Sequence, residues 1–195
     1  MPRPTRRPAI REAALDLAAI GGNHAVTHQA VDRHLSLPRG STSYYFRTRD
    51  ALISAAAGHL VERSRAAFAE QMSDEAVRAR PGDLIADYLD DLLTTRRRDA
   101  LARHGLLQDP SVLPDTREKL ARCFFSVDAA TDLMRDRACD DAGAAADVFI
   151  TVLEGIVFTY TYGVRRDHGR VRGELAEQLR PLVVAALRIT DASGR

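Results

Sequence analysis

The sequence predicts an all-α protein, with a short three-helix head followed by a longer helical body. Three observations lead there. Alanine is abundant, tryptophan is absent and aromatic residues make up only 6% of the chain, a composition that favours helix over sheet. Apolar residues recur at intervals of three and four through most segments, as one face of a helix requires. The breaks between those segments carry stop and start signals, at Gly21-Gly22, Pro38, Pro81-Gly82, Pro110 and Pro114.

The bulk properties narrow the class further. With 195 residues, 45% of them apolar, the chain can build one or two small domains with real cores. Basic and acidic side chains nearly cancel, 28 against 27, which argues against a disordered tail or an all-basic coat protein. No uncharged apolar run of about 18 residues exists; the nearest, Val148 to Val164, contains Glu154. The N-terminus, Met-Pro-Arg-Pro-Thr-Arg-Arg, lacks the apolar stretch of a signal peptide. A soluble, cytoplasmic chain with no membrane partner is expected. Cys123 and Cys139 form no C-x-x-C pair and are expected as free thiols.

The head comes first. Pro8 suits the first turn of a helix, and Ile10, Ala13, Ala14, Leu17 and Ala18 give it an apolar stripe. Gly21-Gly22-Asn23 ends it. A second helix starts behind Thr27 as N-cap, turning Val31 and Leu35 inward. Ser36-Leu37-Pro38 is long enough only for a turn, and a third short helix runs from about Arg39 to Tyr45, with Phe46 at its end. Two short helices behind a longer one, separated by three or four residues, make a helix-turn-helix.

Charge supports the same division. Residues 1–49 carry eight arginines against three acids, a net +5, and the remainder of the chain is −4. A compact basic end on a mildly acidic body is the pattern of a nucleic-acid-reading module joined to a non-binding domain. The boundary falls at residues 49 and 50.

The wording of the head is more specific than its plan. The segment GSTSYYFRTRDALI, Gly40 to Ile53, resembles the signature of TetR-family transcription regulators: a short recognition helix ending in tyrosines and Phe, then a basic residue opening a long fourth helix. Upstream, Ile10, Leu17, Gly21-Gly22 and Val26 to Val31 match the family's first two helices in order and spacing. Three positions depart from it. Ser36 stands where the family often has Gly, so the turn is expected to form without positive φ. Asp32 stands where a small residue is usual, and is expected at the surface. Ser43 stands where a DNA-contacting tyrosine is most common, with Tyr44 and Tyr45 following it.

Such a head implies DNA contacts. Affinity needs cations and donors against phosphates, and specificity needs side chains at base edges. Arg39, Ser41, Thr42 and Ser43 lie where the recognition helix enters the major groove. Arg39 is expected to read a guanine through O6 and N7, and Thr42 to touch a thymine methyl. Thr27, His28, Tyr44 and Tyr45 are expected on phosphates, Gln29 on backbone or base, and Arg49 as a phosphate fork beside a helix N-terminus. Arg3, Arg6 and Arg7 are expected as an arm along the DNA.

The body reads as six further helices. Thr48 caps a long one from Asp50 to about Met72. Pro81-Gly82 restarts the chain, with Leu84, Ile85, Tyr88, Leu89 and Leu92 as the next stripe. Arg96-Arg97-Arg98 is expected as a solvated helix end. A shorter helix runs from Asp99 to Gln108. Pro114 opens another, which turns Leu120, Phe124, Val127 and Leu133 inward. Ala144 to Gly163 is apolar nearly all round and is expected to be covered on two sides. The last stretch carries Leu175, Leu179, Leu182, Val183, Ala186 and Ile189, with Pro181 kinking it or opening its main part.

The resemblance implies that the last two helices pair two copies of the chain, through Val152, Gly155, Ile156, Leu179, Leu182 and Ala186. It also implies an effector site, and the aromatic and polar side chains of the body favour Tyr88, His104, Phe124, Phe158 and Tyr160 as its lining, for a small apolar or aromatic molecule. The six histidines show no metal-ligand spacing, and no phosphate loop, G-x-S-x-G or catalytic cysteine setting occurs. The expectation is a homodimeric regulator of an inverted-repeat operator, most simply a repressor released by its effector, without cofactor or catalysis. A TetR-like activator or effector-independent binder is the nearest alternative, and a small helical enzyme the distant one.

Overall fold

Pro8 occupies the first turn of helix α1 (Arg7–Ala25), where its missing N–H costs nothing. The computed structural model describes residues 6–71, 80–167, 171 and 173–192, with side chains to residue 188. Arg3, Met72 and the Ile189 side chain therefore lie outside the described residues. Among these residues the chain is all helix, without strands: α1 is followed by α2 (His28–His34), α3 (Ser41–Tyr45), α4 (Arg49–Gln71), α5 (Pro81–Leu93), α6 (Arg97–Leu107), α7 (Pro114–Ala121), α8 (Val127–Asp136), α9 (Ala142–Thr161) and α10 (Glu174–Ala192). They gather into two units, Met1–Arg65 with Arg98–Cys123 and Ala66–Arg97 with Phe124–Arg195.

In the first unit, α1 loses helical geometry at Gly21 and Gly22, as the glycine pair predicts. Packing explains why glycine is needed. A Cβ on Gly105 of α6 would stand 2.7 Å from the Ala18 carbonyl oxygen and 3.0 Å from Cα of Gly22. The two backbones meet glycine to glycine, closer than a side chain permits. Just beyond, Asn23 Nδ2 donates to Asp109 Oδ2 at 2.8 Å and to Ser111 Oγ at 3.1 Å. The Ser111 and Asn23 hydrogen bonds hold the Asp109 carboxyl down at about 2.

The same unit contains a charged network. Glu12 of α1 accepts from Arg98 at 2.6 Å, from Arg63 at 2.9 Å and from His59. Fully buried Asp99 lies 3.3 Å from Arg63 and 3.2 Å from Arg98. Burial pushes the Glu12 carboxyl up, but Arg98, His59 and Arg63 outweigh it and leave it at about 2.

This corrects the reading of Arg96-Arg97-Arg98 as a solvated end. Arg98 is bound to Glu12; in the second unit, Arg96 is buried and Arg97 donates to the carbonyls of Tyr160 (2.7 Å) and Arg166 (2.9 Å). The Tyr160 carbonyl lies in the last turn of α9, where carbonyls lack a partner within the helix, and Arg97 satisfies it.

The single helix expected from Pro114 through Leu133 is two. Buried Arg103 donates Nε to the Leu120 carbonyl at 2.7 Å and Nη2 to that of Ala121 at 2.8 Å, which closes the end of α7. Ser126 then caps α8, accepting from the Ala129 N–H at 3.2 Å. Val127, expected inside, is exposed.

In the second unit, α5 packs on α10 and α9, and α9 also packs on α8 and α10. Leu89, Leu92, Phe149, Val157, Leu175, Leu179 and Val183 are buried in its core. Helix α10 runs through Pro181 as one element. By length and composition α9 alone among the described helices is apolar enough to cross a membrane, but eight of its residues, Ala145 to Thr161, are buried within the protein.

Candidate nucleic-acid interface and effector cavity

Thr27 caps α2 as its sequence position predicts, with Oγ1 accepting from the Ala30 N–H at 3.1 Å. The far end of α2 closes in a Schellman motif. The Leu37 N–H bonds to the Asp32 carbonyl (2.8 Å), and the Ser36 N–H to that of Arg33 (3.1 Å). This requires Ser36 to take φ +52, so the expectation of a turn without positive φ is corrected. The motif needs a left-handed residue at that place whatever its side chain.

Asp32 is also not where the sequence put it. It is buried, at 3% exposure, not at the surface. Its Oδ1 accepts from both the N–H (2.8 Å) and the hydroxyl (2.6 Å) of Thr42, and Oδ2 accepts from the Gly40 N–H at 2.7 Å. Gly40, at φ +90, is the N-cap of α3 and has no side chain to cap with. The carboxylate of α2 does that work across the turn, satisfying free N–H groups at the start of α3. Burial pushes the Asp32 carboxyl up, but the Thr42 and Gly40 hydrogen bonds prevail and hold it below the ordinary aspartate range.

Around this anchor, Thr27, His28, Gln29, Asp32, Arg39, Gly40 and Ser43 line a shallow concavity of about 480 Å³. Thr27, Gln29, Arg39 and Ser43 are exposed there, and Tyr44 is 82% exposed, with its ring edge-on to Tyr45 at 5.2 Å. Other positions of the expected set are engaged internally. Thr42 is fully buried on Asp32, so its methyl is not offered to a thymine. Ser41 donates its hydroxyl to the Pro38 carbonyl at 2.6 Å, and His28 donates Nε2 to that of Phe46 at 2.7 Å. Arg49, expected as a phosphate fork, donates Nε to the Val26 carbonyl at 2.9 Å and Nη2 to that of Asn23. It closes the end of α1 instead. Of the expected arm, Arg6 is exposed and Arg7 lies over the Phe46 ring, 5.1 Å from its centroid. Exposed Arg33 and Arg47 were not singled out, although the basic charge of the segment includes both.

The second unit holds a cavity of about 590 Å³ between α5, α8 and α9, with Phe68 of α4. Leu84, Ile85, Tyr88, Phe124, Phe125, Leu133, Phe149, Ile150 and Leu153 supply apolar surface, and Ser126, Asp132 and Asp136 supply polar groups. Tyr88 meets Phe68 and Phe125 edge-on, at 5.8 and 6.1 Å between centroids, and donates its hydroxyl to the Phe124 carbonyl at 2.9 Å. Tyr88 and Phe124 are thus brought together as expected. The other three expected lining residues are not there. His104 belongs to the first unit, where Nδ1 donates to the Ala100 carbonyl at 3.0 Å. Tyr160 is buried near the end of α9, and Phe158 faces outward, stacked on Tyr162. Convergence of aromatic side chains depends on helix rotation, which their chain spacing does not report.

No protein-family model matches the sequence, and neither does any curated protein. Solved structures do match in fold. A member of the TetR family from Streptomyces coelicolor A3 has 22% identity and a TM-score of 0.68, covering 94% of this chain and 98% of its own. A transcriptional regulator (TerR/AcrR family) from Aquifex aeolicus VF5 has 15% identity and a TM-score of 0.69, over 93% and 99%. The multidrug binding protein EbrR, complexed with ethidium, has 22% identity and a TM-score of 0.64, over 93% and 98%. The chain has the TetR-regulator fold.

In that TetR fold, the six positions expected to pair two chains divide into two groups. Ile156, Leu179 and Ala186 are buried within the single chain. Leu179 and Ala186 do not face outward, because the stripe of α10 is spent on α5 and α9. Gly155 and Leu182 are exposed and Val152 is half-buried. Exposed Val148, Phe158 and Tyr162 extend the α9 part of this set at steps of three and four, an apolar face that the all-round hydrophobicity of the helix concealed.

Proposed function

We propose that this chain is a homodimeric transcription regulator that reads an inverted-repeat DNA operator through α2 and α3. It acts by binding, not by catalysis. The observation that carries the reading is the exposed set Thr27, Gln29, Arg39, Ser43 and Tyr44 around a short helix held by Asp32, on a segment of net charge +5. Arg39 supplies a planar donor fork for a guanine edge, and Thr27, Tyr44 and Arg47 supply donors to phosphates. Residues 1–49 are the reading segment; residues 50–195 pair the chains and take the effector.

The outer face of α9 and α10, Val148, Val152, Gly155, Phe158 and Leu182, is the pairing surface. An isologous dimer presents two reading helices related by a two-fold axis, hence an inverted repeat. The cavity lined by Tyr88, Phe124 and Phe149 is the effector site. EbrR, which has the same fold, is described with ethidium and with proflavin bound, and an aromatic-lined cavity of this size suits a small apolar or aromatic molecule. Its occupant releases the operator. To do so it must bind the DNA-incompetent state roughly 10⁴-fold better, about 5.5 kcal/mol.

Selection of bound duplexes from a random pool tests the reading. Recovery of an inverted repeat, bound with a steep salt dependence, is expected. A pool that yields no enriched sequence, or a single half-site bound as tightly as the repeat, overturns it.

A further inference from the structure

The charge of the cavity lining points to the kind of molecule that fills it. No lysine, arginine or histidine lines it among the described residues, whereas two carboxylates do, Asp132 and Asp136, one turn apart on α8. Both are exposed, which puts them at the mouth; Tyr88, Phe124 and Phe149 are buried, which puts the rings at the floor. Because the Tyr88 hydroxyl is committed to the Phe124 carbonyl, Tyr88 offers its ring and not a free donor.

Aromatic faces attract cations, and like-signed charges on low-dielectric walls reinforce one another's field. The neighbouring cations do not cancel this. Arg135 forms an exposed pair with Asp132, where water screens both. Arg96 lies over the Tyr88 ring, 5.8 Å from its centroid, but it has Asp91 within 4.0 Å and does not line the cavity.

Building on the reading of this cavity as the effector site, we propose that it selects organic cations: flat, lipophilic molecules whose rings lie on Tyr88 and Phe149 and whose positive charge sits at the mouth beside Asp132 and Asp136. Anions of the same shape are refused, since the two carboxylates repel them and no cation among the described lining residues pairs with them.

Three tricyclic probes of nearly one shape test this on the full chain by fluorescence titration. They are N-methylacridinium, acridine at a pH where its nitrogen is unprotonated, and acridine-9-carboxylate. The cation is expected to bind about tenfold tighter than the neutral ring, as partly exposed carboxylates and ring faces allow, and the anion weakest. Asp132→Asn with Asp136→Asn should remove most of the cation's advantage over the neutral ring and leave acridine unchanged. Ala129→Phe, which fills the cavity from its own lining, should abolish binding of cation and neutral ring alike. Equal affinities for all three probes, all lost in Ala129→Phe, overturn the charge selectivity while supporting the cavity as the site. Binding that survives Ala129→Phe, or no binding of any probe, overturns both.

Discussion

Asp32 and Thr42 are joined twice: one carboxylate oxygen of Asp32 accepts both the backbone N–H and the hydroxyl of Thr42, at 2.8 and 2.6 Å. The contact sets α3 on α2, and both partners are buried. Asp32→Ala should strand three donors, the N–H and hydroxyl of Thr42 and the Gly40 N–H, and cost about 2–4 kcal/mol; Thr42→Val, which keeps the N–H bond, should cost about 1. Thermal unfolding followed by circular dichroism reads both. Because the folded carboxyl lies below its ordinary range, its contribution is present above that range and is lost as pH falls through the folded value. Equal stability of Asp32→Ala and the parent at neutral pH would remove the anchor.

Ser36 offers the opposite sign. It occupies the left-handed position of the Schellman motif at φ +52, which strains any residue with a Cβ. Ser36→Gly should raise stability by about 0.5–1 kcal/mol, and Ser36→Val should lower it by about 1–2. Denaturant midpoints at constant slope are the measurement. A glycine variant less stable than the parent contradicts the backbone argument.

Arg39 and Arg49 separate reading from support. Arg39→Ala should relax preference at one base position in each half-site, a loss of about 1–3 kcal/mol of discrimination, with unchanged thermal stability. Arg49→Ala should lower thermal stability and leave base preference alone, since its guanidinium holds the carbonyls of Asn23 and Val26. Selection and melting of the two variants decide; the same altered base preference in both would merge the roles.

Gly155 lies on the outer face of α9, and a Cβ added there meets nothing within 4 Å. Gly155→Leu therefore spares the chain's own packing and disturbs only a second copy. Light scattering should give twice the 21.5 kDa chain mass for the parent and the single mass for Gly155→Leu, with helicity retained and operator binding lost. A Gly155→Leu protein that stays dimeric places the pairing surface elsewhere.

Glu12 contributes acid dependence to the first unit. Its carboxyl sits at about 2 instead of 4.5, so its stabilising effect is complete above the ordinary range and disappears as pH falls from there towards 2. Solvent reaches it, at 37% exposure, and screening reduces the effect to about 1–2 kcal/mol. Glu12→Gln should flatten the stability profile between those limits. An unchanged profile would show that the Arg98, Arg63 and His59 contacts contribute nothing net.

The sequence by itself determined the all-α class, the head of three helices and most helix ends. Those features are local: the stripe of Ile10, Ala13, Ala14 and Ala18, the caps at Thr27 and Thr48, and the stop at Gly21-Gly22 act within a few residues of themselves. Tyr88 and Phe124 were also legible as cavity residues, being aromatic on apolar stripes. Tertiary structure alone decided what the polar groups do. Asp32 looked like a surface acid until α3 put the N–H groups of Gly40 and Thr42 against it, eight and ten residues along the chain. Arg49 looked like a phosphate contact and Arg98 like a solvated cation until the carbonyls of Val26 and Asn23 and the Glu12 carboxylate needed donors. It also decided which apolar residues stay inside one chain, since Leu179 and Leu182 are alike in sequence and differ in whether neighbouring helices cover them. Periodicity reports that a helix has an apolar side; only packing reports what meets it, because burial and hydrogen-bond demand come from residues far away in the chain.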